Sequence, residues 1–180
     1  MLKKLKSLFA GIAIASSQAS ADGPPPVDVN TPVTNPNLVA AMERLRTDTS
    51  NEAKYHLLLE LNKANYLVAI FSDEMHTSEP DENGKSTIEK DSIIKVLNTS
   101  DEQGNMYLPL FTDWEAIGKY IDQPVNTLVF PPRDAWDWAL KMGNYHGVVV
   151  NPAHNALPLS KGQIEYLASK IAANKQINKD

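Results

Sequence analysis

Tyr66 to Phe71 reads YLVAIF, an apolar run with no polar residue and with aromatic and β-branched members. A strand with one wet face alternates apolar and polar side chains. A run that does not alternate fits a strand buried on both faces, central in its sheet. The chain must therefore supply cover for two faces, and its remaining segments are read for that supply.

Before the run, Leu38, Ala41, Met42 and Leu45 repeat at helical spacing behind Asn37 as N-cap. Asn51 is the expected cap of a second helix, with Ala53, Leu57, Leu58, Leu61 and Ala64 on one face up to Asn65. Beyond the run, residues 72–90 are polar and acidic, with Pro80 and Asn83-Gly84 as turn signals, and read as an excursion out of the sheet. Residues 93–97 and 106–111 are expected to form an antiparallel hairpin around the turn Asp101-Glu102-Gln103-Gly104-Asn105.

Thr112-Asp113-Trp114-Glu115 matches a capping box opened by Thr112, which turns Trp114, Ile117 and Ile121 inward. Residues 125–130 form a further strand, closed by Pro131-Pro132. A helix follows on the face Ala135, Trp138, Ala139 and Met142, ended by Gly143. Gly147 to Val150 is expected to be the last core strand, stopped by Asn151-Pro152. Ser160 to Gln163 is a second capping box, before a helix with Ile164, Leu167, Ala168 and Ile171 on its face. The predicted fold class is α/β (α+β), a single domain with a mixed sheet of about five strands flanked by helices. It spans residues 37–173, and the polar tail 174–180 is expected to fray.

Lys3, Lys4 and Lys6 precede an apolar stretch from Leu8 to Ala15, and Ala19-Ser20-Ala21 supplies a small-residue cleavage site. Residues 1–21 thus read as a signal peptide; the stretch is shorter than the about 20 residues that a membrane span requires. Residues 22–36 hold five prolines and read as an extended linker. The expected location is periplasmic or secreted. Cleavage removes three lysines from 17 basic and 22 acidic residues, leaving a net charge of −8. Such a surface disfavours nucleic acid and anionic membranes, so a protein is the expected partner. The absence of cysteine excludes disulfides, thiolate metal sites and cysteine nucleophiles.

LPLFTD at Leu108 to Asp113 and VVNPAH at Val149 to His154, together with the paired helices before the first strand, give the chain a family likeness. From Asn37 to Ile171 it resembles the N-terminal domain of the SseB (enhanced serine sensitivity) family. The resemblance implies a bacterial protein and carries over neither an enzymatic activity nor a cofactor. Members are generally cytoplasmic, so the export leader is a departure.

Aligning Gly84 with the glycine of a calcium loop puts Glu79, Asp81 and Asn83 at ligand positions, but the last position falls on Lys90, so a solvated turn is expected. His56, His76, His146 and His154 lie apart, without the spacing of a zinc site, and no cofactor or metal is expected. No nucleophile elbow, phosphate loop or dinucleotide fingerprint is present. The candidate binding rim lies at strand ends: Thr112, Asp113, Arg133, Asp134, Trp136, Asn151 and His154. Trp136 could stand out beside Arg133 and Tyr145 or form a second packing layer. The expected function is an exported, non-enzymatic interaction protein. The alternatives are a hydrolase pairing His154 with Asp113 or Asp134, and a secreted effector.

Overall fold

The computed structural model describes residues 11–12, 32–74, 79, 93–142 and 144–177. The rest of the leader, the linker before Pro32, the calcium-loop alignment apart from Glu79, His76 and Gly143 lie outside the described residues. In chain order the elements are β1 (Gly11–Ile12), α1 (Pro36–Thr47), α2 (Asn51–Leu61), β2 (Tyr66–Glu74), β3 (Ile93–Val96), β4 (Thr99–Ser100) and β5 (Met106–Leu110). Then follow α3 (Trp114–Gly118), β6 (Asn126–Phe130), α4 (Pro132–Lys141), β7 (Tyr145–Val150), β8 (Leu157–Ser160) and α5 (Lys161–Ile177).

The mixed α and β architecture is as expected, but the strands form two sheets rather than one. The first has the order β1-β3-β2-β6 and is antiparallel throughout. The second has the order β4-β5-β7-β8, with β5 and β7 parallel. The expected hairpin divides between them. β3 pairs with β2, and only the short β4 pairs with β5, so the chain changes sheets at Leu97-Asn98. Leu67 and Phe111 exchange two backbone hydrogen bonds of 2.9 Å and join the sheets where β2 begins and β5 ends.

Tyr66 to Ile70 are all buried, as their unbroken apolar run requires. One face of β2 (Tyr66, Val68, Ile70) enters the larger core, with Leu38, Leu61, Leu108, Trp136, Val148 and Ile164. The other (Leu67, Ala69) packs on Phe111, Ala116 and Ile117. Asp101 closes the hairpin turn by accepting from the backbone N–H groups of Gln103 and Asn105, while Gly104 takes φ +84°.

Several boundaries differ from the sequence reading. Asn35, not Asn37, precedes α1, with Pro36 in the first turn; Ser50, not Asn51, caps α2 by accepting from the Ala53 N–H at 3.2 Å. Asp113, not Thr112, caps α3. That one-residue change turns Trp114 out to solvent, where it is 50% exposed. In α4 the buried face is Ala135, Trp136 and Ala139, with Trp138 half-buried. β7 is not the last strand: β8 pairs beside it, with Pro158 on the sheet's edge, where a missing N–H costs no ladder bond. Helix α5 continues past Asn174 to Ile177. At the Ser160 to Gln163 box the glutamine side chain accepts from both the Ser160 N–H and the Ser160 hydroxyl, each at 2.9 Å.

Candidate functional site

Topology carries the ends of three strands to one end of the fold. β5 and β7 run parallel, so Leu110 and Val150 lie side by side, and β6 finishes with Phe130 opposite Tyr66. The family-like segments LPLFTD and VVNPAH are therefore neighbours, and their polar residues meet just beyond the ladder. Asn151 Nδ2 donates to Thr112 Oγ1 at 2.9 Å, and Asn151 Oδ1 accepts the Thr112 N–H at 3.0 Å. The Asn151 N–H continues the ladder to Leu110 O at 2.8 Å. Asn151 adopts φ +50°, a left-handed conformation that asparagine tolerates better than most residues.

Thr112 is fully buried and spends its own hydroxyl proton on Asp113 Oδ2 at 2.8 Å. Asp113 Oδ1 accepts the Ala116 N–H at 2.8 Å to cap α3. From the other side, Asn35 Nδ2 donates to Thr112 O at 2.7 Å and to Asn65 O at 2.8 Å, and Asn35 Oδ1 accepts the Asn65 N–H at 3.2 Å. The arrangement is a polar lock that ties the entrance of α1, the start of β2 and the ends of β5 and β7 together. Each oxygen and donor in it is used, which removes the cost of buried unpaired groups. The Thr112 hydroxyl, paired with the Asp113 carboxylate, is closed off from solvent.

The expected rim is only partly assembled. Thr112, Asp113 and Asn151 come together, but as a lock turned inward. His154 is exposed on the loop after Asn151, and among the described residues its side chain forms no hydrogen bond with Asp113 or Asp134. Asp134 is exposed in the first turn of α4. Arg133 lines a groove between α4 and α5 with Asp137, Lys141 and Ile171.

Trp136 lies in the core and presents nothing to solvent. Its ring tilts against Tyr66 at 5.5 Å, and its indole N–H donates to Asn62 Oδ1 at 2.8 Å, while Asn62 Nδ2 donates to Leu167 O at 3.0 Å. Burial pushes the Tyr66 hydroxyl pKa well up, and that hydroxyl donates to Leu61 O at 2.8 Å. Tyr145 is likewise raised by burial; it donates to Asn98 Oδ1 at 2.6 Å, and the buried Trp138 indole N–H faces its hydroxyl outside hydrogen-bond geometry.

The site that the sequence reading missed is the surface beside the lock. Because Asp113 caps α3, Trp114 projects over a groove of about 610 Å³ whose wall includes Pro36, Val39 and Ala40 of α1, with Asp113 and Glu115 along the rim. Glu115 pairs with Lys119 at 2.8 Å in a solvent-exposed contact. The signal lay in the adjacent cap-capable residues Thr112 and Asp113, either of which could start the helix. Among the described residues no three His, Asp or Glu side chains cluster as a metal would require, and no helix is long and apolar enough to cross a membrane.

Two sheets sewn together by a satisfied polar lock, with an exposed tryptophan groove beside it, define a mixed α/β domain. The chain belongs to the SseB family: the model of the SseB protein N-terminal domain matches residues 38–165, well over half of its length. That span contains the lock from Thr112 to Asn151, the Trp114 side of the groove and most of both sheets. No curated protein and no solved structure matches.

Proposed function

We propose that this SseB-domain protein is an exported, non-enzymatic binding protein that holds a protein partner in the Trp114 groove. The carrying observation is the contrast between the two polar and apolar features at the strand ends. The lock uses its hydrogen-bonding groups on itself, whereas Trp114, a residue type that dominates contact energetics, is left half exposed over an apolar wall. The rim acids and the negative charge of the mature chain favour a segment that carries an apolar side chain beside Lys or Arg. Export is supported by the basic start, the short apolar stretch and the Ala19-Ser20-Ala21 site.

Two measurements test the reading. Selection of a displayed random peptide library on the full mature chain should enrich apolar-basic sequences whose affinity falls at least tenfold in Trp114→Ala and weakens with salt. Peptides indifferent to Trp114→Ala, or no enrichment at all, overturn the groove. N-terminal sequencing of the protein recovered from native cells should begin at Asp22, and a start at Met1 in the cytoplasmic fraction overturns export.

A further inference from the structure

β6 ends the first sheet, and among the described residues no strand pairs with its outer side. Which of its backbone groups face outward follows from β2. The Leu67 N–H and C=O both bond to Phe111, and Ala69 O accepts from Leu97, so these residues point away from β6. In an antiparallel ladder the residues opposite them must then point away from β2. Those residues are Val129 and Thr127. Each presents one N–H and one C=O outward, with no hydrogen-bond partner among the described residues.

Protected edges usually carry a charge, a proline or a bulge. β6 is Asn-Thr-Leu-Val-Phe, carries none of the three, and keeps Thr127, Leu128, Val129 and Phe130 partly exposed where the same sheet's β2 is buried from Tyr66 to Ile70. We propose that β6 is a homodimerisation edge that pairs antiparallel with β6 of a second copy about a two-fold axis at Leu128. In that register Thr127 of each copy lies opposite Val129 of the other. The two outward residues of both strands then exchange four hydrogen bonds, and the first sheet continues through the axis into its mate. The arrangement is self-complementary, as a closed two-fold interface must be.

The flanks agree with this pairing. Asp122 precedes the strand and Arg133 follows it, and among the described residues neither forms an ion pair within its own chain. Antiparallel alignment brings the Arg133 end of one copy to the Asp122 end of the other. Asn126 and Phe130, whose backbone groups face β2, play no part in the intermolecular ladder.

The chain lacks cysteine, so engineered thiols read the register directly. At the axis, Leu128 faces its own copy in a non-hydrogen-bonded pair with Cα atoms about 4.5 Å apart, within disulfide reach. Two Thr127 residues are about 8 Å apart, beyond it. Mild oxidation of the full mature chain should therefore convert Leu128→Cys to a covalent dimer and leave Thr127→Cys monomeric on non-reducing gels. Sedimentation should give a dimer for the parent. Val129→Pro, which removes an outward N–H and spares the β2 ladder, should weaken association at least a hundredfold with an unchanged circular dichroism spectrum. If Val129→Pro unfolds, Leu128→Lys, which sets two like charges at the axis, supplies the same reading. A parent that sediments as a monomer up to millimolar concentration, or Thr127→Cys cross-linking as readily as Leu128→Cys, overturns the proposal.

Discussion

Replacing Asn151 with alanine tests the lock at the residue that holds both strands. The substitution removes the acceptor of the Thr112 N–H and the donor to Thr112 Oγ1, and Thr112 is fully buried. An orphaned buried N–H costs about 2 kcal/mol, and the lost bond to a hydroxyl that still donates to Asp113 costs about 0.5–1 kcal/mol. Alanine at φ +50° adds about 1 kcal/mol because its Cβ crowds the following carbonyl and no side-chain oxygen compensates. The sum is about 3–4 kcal/mol, a large share of the stability of a domain of this size. Asn151→Gly loses the same two bonds but not the backbone strain, and should be about 1 kcal/mol more stable than Asn151→Ala. Urea unfolding followed by circular dichroism, with a constant slope across variants, measures both differences. Asn151→Ala within about 0.5 kcal/mol of the parent would refute the lock as a stabilising element. Equal values for Gly and Ala would refute the strain argument.

At Gly147 an added Cβ would lie 2.0 Å from Leu159 O, a backbone atom that cannot move without parting β7 from β8; Gly147→Ala should cost several kcal/mol, on the order of the larger single-site losses, read as a lowered melting temperature. Trp136→Ala should cost about 3–5 kcal/mol as a buried cavity lined by Tyr66 and α5, whereas Trp114→Ala should stay within about 0.5 kcal/mol of the parent in the same unfolding assay. The Asp48 carboxyl is held at about 2, against an ordinary 3.8, by the Ser50 hydroxyl, then the Ser50 N–H and Arg44. A depressed carboxyl contributes stability above its unfolded value and loses it as pH falls through the folded one, so the parent's advantage over Asp48→Asn should shrink between those two values in acid titrations.

Some of this was written plainly in the sequence. The unbroken run at Tyr66 identified β2 as central, and the Ser160 to Gln163 box marked the start of α5, because both signals are local. Choices between adjacent candidates were not local. Thr112 and Asp113 can each cap a helix, and the selection between them rests on a hydrogen bond made far along the chain. Thr112 is held by Asn151 and so leaves the cap to Asp113. The phase of α4 could have buried either tryptophan; Trp136 goes inward because Asn62, remote in sequence, accepts its N–H. β8 escaped notice because Leu157-Pro158-Leu159-Ser160 is short and carries a proline, the usual marks of a loop. One sheet was expected and two exist, since nothing local at Leu97-Asn98 says which neighbour each half of the strand will meet. Of the candidate binding rim, Thr112, Asp113 and Asn151 come together, but their side chains serve one another and backbone groups at the strand ends.

The weaving of the two sheets sets an order on how this chain can fold. β6 completes the first sheet yet lies in sequence between β5 and β7, the parallel pair at the heart of the second. No single cut separates one sheet from the other, and neither can close until the chain has passed through both. Contacts of such long sequence separation carry a loop-closure cost before they return any burial, which slows folding. A growing chain can pair its YLVAIF strand with β3 early, but the β6 side of that strand stays open until Phe130 has emerged, and that interval is when it most needs shielding from its neighbours.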